Sequence, residues 1–311
     1  MDLPKAAYVI GIDGGGTKTA GAAVDPEGRP LVSLTGPSTN PFSQTPESAA
    51  LHLIRLVDEI MLRPELADRR CLGVCCGIAG AEEPQERAYF AEKLVSHLQA
   101  RHIRADVQIV CDVDLILAAA GKTSGIAVVS GTGSIVLGVT PTGERYKVGG
   151  WGPILGDQGS GYRIGLRVLQ AVMLSYDGIA PPTRLTDLAV ADMGLRHVPE
   201  LLRVVHRPDA DKSFIARFAA LGIRAAESGD AAAIRILEAE AIDLAAAAKT
   251  LIAKDEAFRT VELVVAGSIF RHSNHFLQKF QQEVRSEYGS IAICGVAERP
   301  EIGAARLAMR L

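Results

Sequence analysis

Two hydrophobic rhythms alternate along this chain. Short apolar runs that close on glycine recur at Tyr8–Ile12, Cys71–Cys76, Gly125–Ser130 and Val261–Val265, and each reads as a buried strand. Longer stretches carry apolar residues every three or four positions and read as helices. Glu47–Leu62 is one, with Leu51, Ile54, Val57 and Met61 roughly on one face; Glu83–Gln99 and Asn274–Glu287 are others. Thr17–Val24 and Pro30–Thr35 follow the first run, joined by the turn Asp25-Pro26-Glu27-Gly28, so the chain opens with three antiparallel strands. The same plan returns after Gly125, with the glycine turn Gly131-Thr132-Gly133-Ser134 and the strands Ile135–Val139 and Glu144–Val148. Gln108–Cys111 and Ile291–Cys294 are further strands. Val113–Ala120 and Tyr162–Leu174 are helices, and Thr183–Lys254 reads as helices throughout. Pro300 opens a terminal helix through Gly303, Ala304 and Ala305. The repeated unit, strand then glycine turn then meander, predicts an α/β protein built from a duplicated domain.

Composition narrows the class. With 311 residues the chain is long enough for two domains. A hydrophobic share of 48% and a charged share of 22% fit a globular protein with a full core. A net charge of -3 gives no reason to expect nucleic acid or an anionic membrane as partner. The first residues lead straight into a core strand rather than a leader, and no apolar run reaches the ~20 residues of a membrane span. Five cysteines, an odd number, argue against a disulfide framework and for a reducing cytoplasm.

The candidate chemistry sits where strands end. Gly14, Gly15 and Gly16 make a turn whose backbone N–H groups can approach an anion, most plausibly phosphate. Asp13 beside it fits only if a cation such as Mg²⁺ stands between carboxylate and phosphate; the alternative is a tight turn capped by an aspartate. Asn40, held extended by Pro41, can aim its amide at a polyhydroxyl ligand or be a plain loop residue. Asp112 stands where a strand gives way to a helix, which suits either a functional carboxylate or an N-cap; Asp114 reads as surface or capping. Gly149–Gly161 is dense in glycine, holds the sole tryptophan, Trp151, and reads as a ligand loop or a structural one; Asp157 and Ser160 can cap the next helix and also face a ligand. Gly121-Lys122-Thr123 is no P-loop, since the first glycine of that motif is replaced by Ile116 and a strand follows instead of a helix. The opening glycines lack the helix that a dinucleotide fingerprint requires. Cys71, Cys75 and Cys76 make no zinc pattern and read as buried strand residues, and His272 and His275 could share a helical face without a third ligand.

Taken in order, Asp13-Gly14-Gly15-Gly16-Thr17, Asp112, Gly131–Ser134, Gly149-Gly150-Trp151-Gly152, Gly156–Ser160 and Ala266-Gly267-Ser268 resemble the motifs of the N-acetylglucosamine kinases. These belong to the BadF/BadG/BcrA/BcrD ATPase branch of the sugar kinase, heat-shock chaperone and actin superfamily. The resemblance implies two ribonuclease H-like (actin-like ATPase) domains with an interdomain cleft. The first would be residues 1–115 with the terminal helix 299–311, and the second 116–298 with a helical insertion. It implies ATP and Mg²⁺ as cofactors, an amino sugar as substrate, a homodimer and a cytoplasmic setting. Asp112 would be the catalytic base and Asp13 the metal ligand. Gly14, Gly15, Gly16, Thr17, Lys18, Gly131, Thr132, Gly133 and Ser134 would hold the phosphates, and Ala266, Gly267 and Ser268 would lie under adenosine. Asn40, Gly77, Asp112, Gly150, Trp151, Gly152 and Asp157 match positions that hold or shape the sugar site. Two departures bear on the choice of sugar: Gln158 replaces a frequent glutamate, and Gly77 stands where some relatives place a serine. Other readings are a dehydratase-activating ATPase, which needs cysteines for an iron–sulfur cluster, and a sugar sensor without catalysis.

Overall fold

The computed structural model describes residues 7–296 and 298–311. Strands β1 (Ala7–Gly14), β2 (Lys18–Val24) and β3 (Pro30–Pro37) form the expected meander. Helix α1 (Pro46–Met61) follows, then β4 (Arg70–Ile78), α2 (Pro84–Ala100), β5 (Asp106–Val110) and α3 (Asp112–Ala119). A second meander comes next: β6 (Gly125–Ser130), β7 (Ser134–Val139) and β8 (Arg145–Gly149). The helical stretch beyond it holds α4 (Gly152–Leu155), α5 (Gly161–Tyr176), α6 (Arg184–Asp192), α7 (Glu200–Val205), α8 (Lys212–Ala216), α9 (Phe218–Glu227) and α10 (Ala231–Ile252). The chain closes with β9 (Leu263–Ala266), α11 (Ser268–His272), α12 (Asn274–Arg285), β10 (Ile293–Gly295) and α13 (Pro300–Ala308).

These elements fall into two compact units, residues 1–123 with 296–311, and residues 124–295, so α3 and α13 both lie in the first. Each unit holds one five-stranded sheet, ordered β3-β2-β1-β4-β5 in the first and β8-β7-β6-β9-β10 in the second. In each, the first three strands are antiparallel and the last two run parallel to the first. The two sheets thus share one topology, as the repeated sequence plan predicts.

Strand parity decides which residues of β1 meet what. Tyr8, Ile10 and Ile12 enter the core that α1 and α2 cover with Leu53, Phe90 and Leu94. Val9 lies on the opposite face, with Leu115 of α3 and Ala304 and Ala305 of α13. Gly11 shares that face, where a Cβ would stand 2.0 Å from the Glu301 carbonyl oxygen and 2.3 Å from the Ala305 nitrogen. Glycine therefore lets α13 lie directly on the strand. Asp13 is next in the same alternation, so the carboxylate faces α3 and α13 instead of the larger core. In the second unit one core gathers Ile126, Val128 and Val136 of the sheet with Ile164, Leu221, Leu244 and Phe276 of the helices.

Candidate active site

In the first unit the parallel strands β1, β4 and β5 end side by side, with Asp13 opposite Gly77 and Gly77 opposite Val110. Such carboxyl ends are where ligands gather on open α/β sheets. The Asp13 carboxyl is half-buried, and its pKa is pushed up to about 7. Burial is the main cause; the negative charges of Glu301 and Asp112 add to it, and only Lys18 opposes them. Among the described residues no hydrogen bond reaches the Asp13 carboxylate, so its charge is left to be balanced by something else.

Gly14, Gly15 and Gly16 form the turn into β2. Ser38 Oγ donates to the Gly15 carbonyl at 2.9 Å and Ser43 Oγ to the Gly16 carbonyl at 3.0 Å, which turns those carbonyls toward the Ser38–Ser43 loop. Gly16, Thr17 and Lys18 are exposed at the tip. In that loop Asn40 accepts from the Phe42 N–H through Oδ1 at 2.7 Å. Its Nδ2 lies 3.7 Å from where a Gly16 Cβ would be, so the amide nitrogen points at the glycine turn. Asn40 is therefore ordered by its own turn, with its donor end still directed at the site.

Asp112 is not the N-cap. That position is Cys111, whose N–H donates to Asp114 Oδ2 at 3.2 Å in a capping box. Asp112 is the first residue of α3, and its carboxylate accepts the adjacent Val113 N–H at 3.0 Å. The sequence left two roles open for this aspartate, and the cap is filled by its neighbour. Burial raises the Asp112 carboxyl to about 6, with Glu82 and Asp114 adding repulsion and the Val113 N–H opposing. A carboxylate at that value is ionised at neutral pH yet still basic enough to take a proton. Gly77 has a packing reason: a Cβ there would stand 2.2 Å from Leu115 Cδ1 and 2.4 Å from Leu115 Cγ. This chain fills with a leucine of α3 the space that a serine side chain would need.

In the second unit the carboxyl ends of β6 and β9 lie together, Val129 opposite Ala266. Gly267 has φ +105°, and a Cβ on it would stand 2.1 Å from the Ser130 carbonyl oxygen, so the two glycine turns touch through backbone. Ser268 is exposed beside them. The Gly131 and Thr132 carbonyls accept from the Gly161 and Tyr162 N–H groups at the start of α5, at 2.7 and 3.2 Å. Ser130 Oγ and Ser134 Oγ donate to the carbonyls of Gly159 and Gln158, at 2.5 and 2.7 Å. The hairpin and the glycine-rich loop are thus one hydrogen-bonded body, and Ser134 spends its proton on holding it together. The Gln158 side chain is exposed.

Asp157 is only 3% exposed and has φ +60°. Its Oδ2 pairs with Lys212 Nζ at 2.7 Å, a charge contact that lacks hydrogen-bond alignment. Gly150 and Gly152 also take positive φ, and Trp151 between them is 67% exposed under the Lys147 ammonium. Two residues that sequence reasoning missed support this body. Glu240, fully buried on α10, accepts the Gly159 N–H at 2.6 Å and pairs with Arg167 of α5. Lys212 lies beside Gly133. The burial of the first and the position of the second follow from packing between distant segments, and nothing local marked either.

Other readings fall away. His272 ends α11 and His275 belongs to α12, with the cap Ser273 between them, so they share no helix. Among the described residues no group of three or more side-chain ligands could hold a metal by itself. Cys71, Cys75, Cys76 and Cys111 are buried, and burial pushes the Cys71 and Cys75 thiols up to about 12. Among the described residues no helix is long and apolar enough to cross a membrane.

The N-acetylmuramic acid/N-acetylglucosamine kinase of Clostridium acetobutylicum is 28% identical over 97% of this chain and 98% of its own length. The N-acetyl-D-glucosamine kinase of Dictyostelium discoideum is 29% identical over 96% of this chain and 97% of its own. A Chromobacterium violaceum structure, described as a candidate N-acetylglucosamine kinase, superposes with a TM-score of 0.70 over 98% of this chain and all of that one, at 22% identity, which establishes a shared fold. The model of the BadF/BadG/BcrA/BcrD ATPase family matches residues 10–308, and the chain belongs to that family.

Proposed function

We propose that this protein transfers the γ-phosphoryl group of ATP to the 6-hydroxyl of an amino sugar. N-acetylglucosamine is the leading acceptor, with glucosamine and N-acetylmuramate behind it. The observation that carries the reading is Asp112: a half-buried carboxylate freed from capping, raised to about 6, near Asp13 at the strand ends of the first unit. In this role Asp112 accepts the proton of the 6-hydroxyl as that oxygen attacks phosphorus. General-base help is worth roughly 10²–10⁴-fold, or about 3–5 kcal/mol of barrier.

Asp13 is suited to Mg²⁺. It is a single hard carboxylate without a hydrogen-bond partner among the described residues, and its charge is opposed by Asp112 and Glu301. Mg²⁺ commonly takes one or two carboxylates and completes its shell with phosphate oxygens and water. When bound, it supplies neutralisation of the phosphate charge. The turns at Gly14–Lys18 and Gly131–Gly133 contact phosphate oxygens through backbone N–H groups other than those of Gly15 and Gly131, which donate to the Lys18 and Gly133 carbonyls, and Ala266–Ser268 supports adenosine. Asn40, Asp157 and the Trp151 loop contact the sugar.

The two kinase relatives, each aligned over nearly its whole length, are named for acetylated amino sugars, which favours such an acceptor. The dehydratase-activating alternative needs accessible cysteines, and four of the five are buried. The test is coupled ADP release with N-acetylglucosamine, N-acetylmuramate and glucosamine on the wild type and on Asp112→Asn. A sugar-dependent ADP signal that the variant loses by 10²-fold or more, with sugar binding kept, is the expected result. ADP release that ignores every sugar refutes the kinase reading; near-normal turnover by Asp112→Asn removes Asp112 from its role.

A further inference from the structure

Lys212 is the first residue of α8, after Asp211, whose Oδ1 accepts the Phe214 N–H at 2.8 Å. Its ammonium lies 2.7 Å from Asp157 Oδ2 and 2.7 Å from where a Cβ on Gly133 would be. The cation therefore sits against the tip of the β6–β7 hairpin, and glycine at 133 is what gives it room. The two partners are unequally placed. The Asp157 side chain is 4% exposed, whereas that of Lys212 is 35% exposed. A lysine ammonium has three N–H donors, and this ion pair engages one face of it. The remaining donors are left on the accessible side, next to the hairpin turn, where the Gly131 N–H is spent on the Gly133 carbonyl at 2.9 Å and the N–H groups of Thr132 and Gly133 remain as the candidate anion donors. A positive charge held in place by a buried carboxylate beside such a turn is an arrangement that recognises a polyanion.

We propose that Lys212 is a nucleotide-phosphate ligand: its ammonium contacts the phosphate tail seated on Gly131–Gly133, and Asp157 fixes it there. This rests on the reading of that hairpin as a phosphate turn. It also ties the position of Asp157, a candidate sugar contact, to occupancy of the nucleotide site.

The experiment is calorimetric titration of the full chain with ATP, ADP and adenosine, in Mg²⁺ and without sugar, so that no turnover occurs. Wild type binds ATP and ADP more tightly than adenosine. Lys212→Met weakens ATP and ADP by roughly 10- to 100-fold and leaves adenosine unchanged, the size expected of a charge-assisted contact; Lys212→Arg recovers a large part of the loss. Lys212→Met leaves the buried Asp157 uncompensated and can unfold the unit. The double variant Asp157→Asn/Lys212→Met removes both charges and is measured alongside it, with the same selective loss expected. An unchanged preference for ATP over adenosine in these variants overturns the proposal, as does an equal loss for all three ligands, which a merely structural ion pair would give. If the wild type itself does not distinguish ATP from adenosine, the phosphate-turn reading fails first.

Discussion

Gly77→Ala tests whether packing beneath α3 sets the position of Asp112. The added methyl would stand 2.2 Å from Leu115 Cδ1 and 2.4 Å from Leu115 Cγ, far inside van der Waals contact. Cγ moves only with a change of χ1, which would swing the whole buried side chain against its neighbours. Leu115 is fully buried, and Gly303 of α13 packs on its carbonyl, where a Cβ would stand 2.6 Å away. The helix thus has little room to retreat. Inserting a methyl into such a site costs about 1–3 kcal/mol. Urea unfolding of the full chain should show that loss, and kcat should fall because Asp112 begins the displaced helix. Leu115→Ala alone costs about 2–5 kcal/mol as a cavity. In the double variant the new methyl occupies part of that cavity, so the two losses should combine to at least ~1 kcal/mol less than their sum. If Gly77→Ala unfolds within ~0.5 kcal/mol of wild type, or the double variant is additive, Leu115 does not hold that space and the account of Gly77 is refuted.

The remaining predictions concern charge. Asp112 must be ionised to accept a proton, so kcat/KM should fall tenfold per pH unit below about 6 and level off above it; a profile flat down to pH 5 contradicts its role as base. Asp13 has a folded pKa raised from 3.8 to about 7, so the stability its protonated form gives is present below 3.8 and lost as pH rises through about 7. In chelator, Asp13→Asn should therefore gain thermal stability over wild type between pH 4 and pH 8, and a difference independent of pH would refute the burial argument. Mg²⁺ with ATP should raise the wild-type melting temperature at pH 8 and raise that of Asp13→Asn much less; equal shifts would remove Asp13 as the metal ligand.

Residue order alone specified the alternation of strands and helices, the two meanders with their glycine turns, and the placing of Asp13 and Asp112 at strand ends. These features are written in local periodicity and in glycine, which act over a few residues. Local pattern could not tell whether Asp112 caps α3, because aspartate suits that position as well as a functional one; the capping box at Cys111 and Asp114 shows that it does not. Nor could it give Gly77 a reason, since Leu115 reaches it only once α3 lies over β4. Lys212, Glu240 and the pairing of Asp157 depend wholly on tertiary structure. Each joins segments distant along the chain, and charges or close contacts between such segments leave no period in the sequence to be read.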